Sequence, residues 1–299
     1  MSRPCFFPED SWQDIVSLLT VLGFAILINL LGSVQGWRPQ MEDEFIMSNL
    51  SIDGHCMLGV FDGHAGRTAS KYAAENLIRC LEDTEDWKAY LNSRESIELL
   101  ERALVKAFIS LDEELFKIPA LSDGSDTSGT AAVVAVLTPS HIVCANLGDS
   151  RCALRTRGSC VALSEDHKPS LPEEAHRIYT AGGHVELDRV DGELALSRAL
   201  GDFRYKGRTD LSFTEQKVIC VPDVSSHSRS SEDEILLLAC DGLFDVISTE
   251  EAVELAHNLH FHDSHKPDAA ASEMVDLALS LGSSDNVSVI VVPLKSAMQ

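Results

Sequence analysis

Apolar residues fall along this chain in two rhythms. Between residues 94 and 118, Ile97, Leu100, Leu104, Phe108, Leu111 and Leu115 recur at spacings of three and four, which lines one face of a helix. Elsewhere they come in mostly apolar runs of strand length, at 56–61, 130–137, 142–147, 234–240 and 287–294. Thr138-Pro139-Ser140-His141 joins two of these runs as a hairpin, and Gly158 centres a second hairpin between 151–156 and 160–163. A helix is predicted over 65–83, opened by the Gly63-His64-Ala65-Gly66 turn. Ser170-Leu171-Pro172-Glu173 opens another, with Ser170 as the cap, and Gly182-Gly183 closes it. Ser248-Thr249-Glu250-Glu251 caps a third, and 269–281 supplies the last. Strands arrive in hairpins and helices in separate blocks, so the fold class is α+β with antiparallel sheets.

The amino terminus breaks the pattern. Residues 15–31 read IVSLLTVLGFAILINLL without a charge, the short end of what spans a bilayer. Glu9, Asp10 and Asp14 precede it where a signal peptide carries positive charge. The stretch is either a buried element at the start of the core or a membrane anchor, and the lack of a linker before residues 32–36 favours the former. Residues 1–21 are read as an extension. With no internal repeat or Pro/Ser-rich linker, residues 22–299 are read as one catalytic domain.

Composition narrows the function. The 299 residues carry 24 basic and 47 acidic side chains, a formal net charge of −23. A polyanion such as nucleic acid would be repelled, whereas carboxylates gathered around metal cations suit this balance. None of the eight cysteines forms a C-x-x-C pair and most sit in apolar runs. Buried reduced thiols in a reducing compartment follow, cytoplasmic and open to the nucleus, with a membrane-associated protein bearing a cytosolic domain as the alternative. His257, His260, His262 and His265 cluster without a cysteine and are read as a solvated helix end rather than a zinc site. The triplets at Asn49 and Asn286 are coincidental glycosylation matches in such a compartment.

Several carboxylates stand where apolar runs end. Asp62-Gly63 follows Leu58-Gly59-Val60-Phe61, and Asp241-Gly242 follows a run ending at Cys240. Asp285 precedes the final apolar run, and Glu42-Asp43 precedes Phe45-Ile46-Met47. If these strand ends share one rim, the acids converge. Converged carboxylates repel one another in a partly dry site unless a cation joins them, and all-oxygen ligation selects Mg²⁺ or Mn²⁺ over zinc.

Eight segments, in order from about residue 32 to 294, resemble the motifs of the metal-dependent type 2C protein phosphatases. They are Gly36-Trp37-Arg38-Pro39-Gln40-Met41-Glu42-Asp43, Val60-Phe61-Asp62-Gly63-His64-Ala65-Gly66, Ser128-Gly129-Thr130-Ala131, Asn146-Leu147-Gly148-Asp149-Ser150-Arg151, Glu165-Asp166-His167-Lys168-Pro169, the stretch 196–202, the stretch 239–246 and Ser284-Asp285-Asn286-Val287-Ser288. The resemblance implies an αββα sandwich, two stacked antiparallel sheets flanked by helices. It implies hydrolysis of phosphoserine and phosphothreonine in phosphoprotein substrates by in-line attack of a metal-bridging water, without a phosphoenzyme. It also implies two Mg²⁺ or Mn²⁺ ions and a weaker third, in a protein taken as monomeric.

Residue by residue, the resemblance makes Asp62 the bridge between the ions, with the Gly63 carbonyl contributing an oxygen. Asp241 and Asp285 hold one ion directly. Glu42 and Asp43 act mainly through bound water, Glu42 being the direct ligand of the second ion. Arg38 takes phosphate oxygens through its planar fork. His64, with an ordinary pKa of about 6.5, serves as general acid. Asp149 serves the third ion or orients water, Asp245 holds water in the same network, and Arg198 and Asp202 brace loops. Residues 169–207 form the flap beside the cleft. Two rivals remain. A pseudophosphatase scaffold predicts lost metal carboxylates, and a two-metal nuclease predicts a basic track.

Overall fold

The structure is a computed structural model that describes residues 31–93, 96–261 and 269–294. In chain order its strands are β1 (Leu31–Val34), β2 (Glu44–Asn49), β3 (Cys56–His64), β4 (Gly129–Leu137), β5 (His141–Leu147), β6 (Arg151–Thr156), β7 (Ser159–Ala162), β8 (Val185–Glu186), β9 (Arg189–Val190), β10 (Leu200–Gly201), β11 (Asp223–Ser228), β12 (Asp233–Ala239) and β13 (Val287–Pro293). Its α-helices are α1 (Thr68–Asp83), α2 (Glu85–Ser93), α3 (Ile97–Leu115), α4 (Pro119–Ser122), α5 (Pro172–Thr180), α6 (Asp241–Phe244), α7 (Thr249–Phe261) and α8 (Ala270–Ser280).

The apolar runs are continuous because both faces of each strand are covered. In β3, Cys56, Leu58 and Val60 enter one apolar cluster with Leu236, Leu238, Ile290 and Val292. Met57 and Phe61 turn the other way, against Leu77 of α1 and Leu104 and Phe108 of α3. In β12, Ile235 and Leu237 face α7 and α8. Period-two alternation thus gives three apolar interfaces between four layers: helices, sheet, sheet, helices. One sheet runs β1-β13-β12-β6-β7, the other β11-β5-β4-β3-β2 with β10 added beside β4, and every pair is antiparallel. This is the αββα sandwich expected from the sequence.

Local chemistry explains the connections. The β6–β7 hairpin turns on Arg157 and Gly158, both at positive φ (51° and 72°), the two-residue turn whose twist suits antiparallel strands. The α7 cap is reciprocal. Ser248 Oγ accepts from the Glu251 amide (3.3 Å), and the Ser248 amide donates to Glu251 Oε2 (3.2 Å). At α5 the expected Ser170 cap is replaced. Leu171 holds the cap position with no side-chain bond, while the Ser170 amide donates to Asp188 Oδ1 at 2.9 Å. Pro172 opens that helix without an amide to satisfy.

Three further expectations are adjusted. β3 continues to His64, because its ladder with β4 runs through Asp62↔Ala131, Gly63↔Thr130 and His64↔Gly129. The described histidines of the cluster are packed rather than solvated: His260 is buried, and His257 lies 4.9 Å from the Phe261 ring; His262 and His265 fall outside the described residues. Leu31 belongs to an edge strand, pairing with Ile290. The rest of the apolar stretch, 15–30, lies outside the described residues, among which no helix is long and apolar enough to cross a membrane. The seven described cysteines are free thiols, all but Cys160 buried.

Candidate metal centre

The rim where β3, β12 and the β5–β6 turn end carries the acids. Asp62 sits in the last turns of β3, Asp241 is the first residue of α6 directly after β12, and Asp149 follows Gly148 in the turn after β5. Gly148 is required there. Its φ is +111°, and a Cβ would lie 2.5 Å from Ala131 Cβ. Each of Asp62, Asp149 and Asp241 offers a carboxylate oxygen, and these atoms lie within 4.8 Å of one another.

Glu42, Asp43 and Asp285 surround this triad without joining it. Asp43 is buried; its Oδ2 accepts from Ser288 Oγ at 2.8 Å, and its Oδ1 has no partner. Asp285 Oδ2 accepts from the Arg38 guanidinium at 2.5 Å, and its Oδ1 accepts from the Asn286 amide at 2.7 Å. Asn286 does more than its place in a motif suggests. Its Oδ1 accepts from the Glu42 amide (2.9 Å), and its Nδ2 donates to the Gln35 (2.7 Å) and Gln40 (3.0 Å) carbonyls. The arginine-bearing loop is thereby clamped to β13. Gly63 lets β3 reach that loop, since a Cβ would stand 2.3 Å from the Glu42 carbonyl oxygen.

The electrostatics are those of crowded anions. Burial, then repulsion from Asp241 and Asp43, lifts the Asp62 carboxyl well above its ordinary range. Burial, then Asp149, Asp245 and Asp285, pushes Asp241 up to about 7. Burial also takes Asp43 up to about 7, against the hydrogen bond from Ser288 and with help from Asp285 and Glu42. Asp149 is raised by burial and partly relieved by Lys168. Such a set holds its negative charge only if protons or cations balance it. An all-oxygen donor set with an unpartnered buried carboxylate oxygen fits a hard divalent cation.

Beside the acids stands His64. Its Nε2 contacts Asp202 Oδ2 at 2.6 Å. Burial pulls its pKa down, but the Asp202 charge and hydrogen bond overcome that and raise it. Asp202 is buried at left-handed φ (52°), directly after β10. Gly129 makes the meeting sterically open, because a Cβ there would lie 2.2 Å from Asp202 Oδ2 and 2.5 Å from His64 Nε2. Asp202, expected only to brace a loop, is the partner of His64. Arg198 does brace, binding Glu174 Oε1 (2.8 and 3.0 Å) and Asp223 Oδ1 (2.6 Å). Arg38, half exposed, borders an open groove of about 460 Å³ with Pro39, Gln40, Glu42, Ala65 and Gly66.

Comparison with known proteins agrees with this architecture. The family model for protein phosphatase 2C matches residues 30–287. Human protein phosphatase 1B is 36% identical over 274 residues, covering 89% of this chain and 57% of that protein. Protein phosphatase 2C homolog 2 of Saccharomyces cerevisiae is 37% identical over 278 residues, covering 88% of this chain and 58% of that protein. The chain thus spans less than two thirds of the length of these curated relatives. A serine-threonine phosphatase 2C from Toxoplasma gondii superposes with a TM-score of 0.76 at 26% identity, covering 89% of this chain and 94% of the other. A C. elegans sex determining protein superposes with a TM-score of 0.74 at 27% identity, covering 99% of this chain and 76% of that one. With the family model matched over most of its length and the sandwich shared with solved members, the chain belongs to the protein phosphatase 2C family.

Proposed function

We propose that this protein is a Mg²⁺- or Mn²⁺-dependent phosphatase acting on phosphoserine and phosphothreonine in proteins, with residues 22–299 as its catalytic unit. The observation that carries the reading is the Asp62–Asp149–Asp241 triad, with Asp149 buried and the other two half-buried, opening beside an arginine and a carboxylate-held histidine. Asp62, Asp241 and Asp285, with Glu42, Asp43 and the Gly63 carbonyl, would hold two cations, and Asp149 a weaker third. Bound there, the cations supply Lewis acidity and lower the pKa of coordinated water.

The chain's own residues do the rest. Arg38 reaches the mouth of the site and takes the phosphoryl oxygens, exchanging its bond to Asp285 for bonds to the substrate. As the phosphorus–oxygen bond to the serine or threonine breaks, a proton must reach the departing oxygen. His64 donates it, and Asp202 holds the ring in place and stabilises its charged form. Substrates are phosphoproteins engaged by one monomer, in the cytoplasm or nucleus. The pseudophosphatase reading finds no support, because each carboxylate it would lose is present.

The decisive assay follows phosphate release from a phosphothreonine peptide with Mn²⁺ and with EDTA. Chelation is expected to abolish turnover, and Asp241→Asn to reduce it by about 10²-fold or more while the circular dichroism spectrum is retained. Turnover that survives both treatments refutes the reading.

A further inference from the structure

The loop between β7 and α5 is fastened to the β5–β6 turn residue against residue. Asp166 accepts two bonds from the Arg151 guanidinium, at 2.8 and 2.9 Å. The His167 amide donates to the Gly148 carbonyl at 2.9 Å, and the Gly148 amide donates back to His167 Nδ1 at 3.0 Å. The His167 carbonyl in turn accepts from Ser197 Oγ at 3.0 Å. This lattice delivers the next residue, Lys168, so that its ammonium pairs with Asp149 Oδ2. Asp149 is buried and is one of the three converging carboxylates. A cation belonging to the protein is therefore already seated on one side of the triad.

Charge counting shows what this does. On the triad alone, three ionised carboxylates carry −3 and Lys168 lowers that to −2, so less divalent charge is needed on the Asp149 side. An ammonium in contact with a carboxylate opposes a divalent ion on that same group, both by repulsion and by holding its oxygen. We propose that Lys168 is a tethered counter-cation that limits divalent-ion occupancy at the Asp149 side of the triad. The proposal rests on the metal-dependent reading above and assigns to Lys168 the weakness of the third ion at Asp149.

The test measures binding, not turnover. Full-length wild type, Lys168→Met and Lys168→Arg are titrated with Mn²⁺ by isothermal calorimetry, and free Mn²⁺ is counted by electron paramagnetic resonance. Lys168→Met is expected to bind one ion more than wild type over the same concentration range, or its weakest ion about tenfold tighter. Lys168→Arg, which keeps the charge, is expected to follow wild type. Circular dichroism checks each fold, and Lys168→Gln replaces the Met variant if that one fails to fold. Equal stoichiometry and affinity in wild type and the neutral variant overturn the counter-cation role alone. A wild type that binds no Mn²⁺ overturns the metal reading as well.

Discussion

At the scale of single residues, the 2.6 Å contact between His64 and Asp202 fixes the ring proposed above as the proton donor. His64→Ala should therefore slow a phosphothreonine peptide by about 10²-fold yet affect an aryl phosphate far less, because a phenolate departs without being protonated. Equal losses on the two substrates, measured as kcat/KM, would remove His64 from that role. The acids at strand ends were legible from sequence, since Asp62-Gly63 and Asp241-Gly242 each close an apolar run. Asp202 and Asn286 were not legible in their roles. Asp202 meets a histidine 138 positions away, and Asn286 reaches carbonyls and an amide more than 240 positions away. Hydrogen bonds between distant segments leave no spacing to read. Lys168 stood in a recognised motif, but only its contact with Asp149 gives it a task.

At the scale of elements, the site depends on how closely strands approach. β10 and β3 both lie against β4, and Gly129 is where they meet. Gly129→Ala should part Asp202 from His64 and cost about 1–3 kcal/mol of stability through overpacking, read as a lower midpoint in urea together with reduced turnover. Unchanged turnover in a folded variant would show that the pair tolerates separation. Period and apolar runs revealed the elements well, since α3 and the central strands fall where the pattern places them. Their ends were less visible. β3 runs on to His64 because its ladder with β4 continues past the apolar residues, and pairing with another strand cannot be read from one segment. Likewise, α2 (Glu85–Ser93) was not legible as a helix in the sequence, which in that region predicts only 65–83 and 94–118.

At the scale of the whole molecule, antiparallel α+β followed from the order of runs, whereas the stacking of two sheets came through the family resemblance. Charge links the site to global stability. Asp43 and Asp241 titrate near 7 in the folded chain against about 4 when unfolded. Between those values the folded state holds more protons, so these groups lose stability as pH rises from about 4 through 7. In EDTA the melting temperature is expected to fall from pH 5.5 to 8. On the metal-dependent reading Mn²⁺ would take the place of those protons, so the gain it gives should widen over the same range. A gain that does not grow with pH would show that these carboxylates are not the ones titrating.

β13 lies between β1 and β12 in one sheet, next to the edge strand, and Asn286 just before it ties down the arginine loop. A ribosome makes residues 31–93 long before residues 286–293, so the acidic rim stays unassembled until β13 has been made. Until β13 emerges, Asp43 lacks its Ser288 partner and the Glu42 loop lacks its Asn286 clamp, so the acids gathered at this rim have no finished frame during much of synthesis.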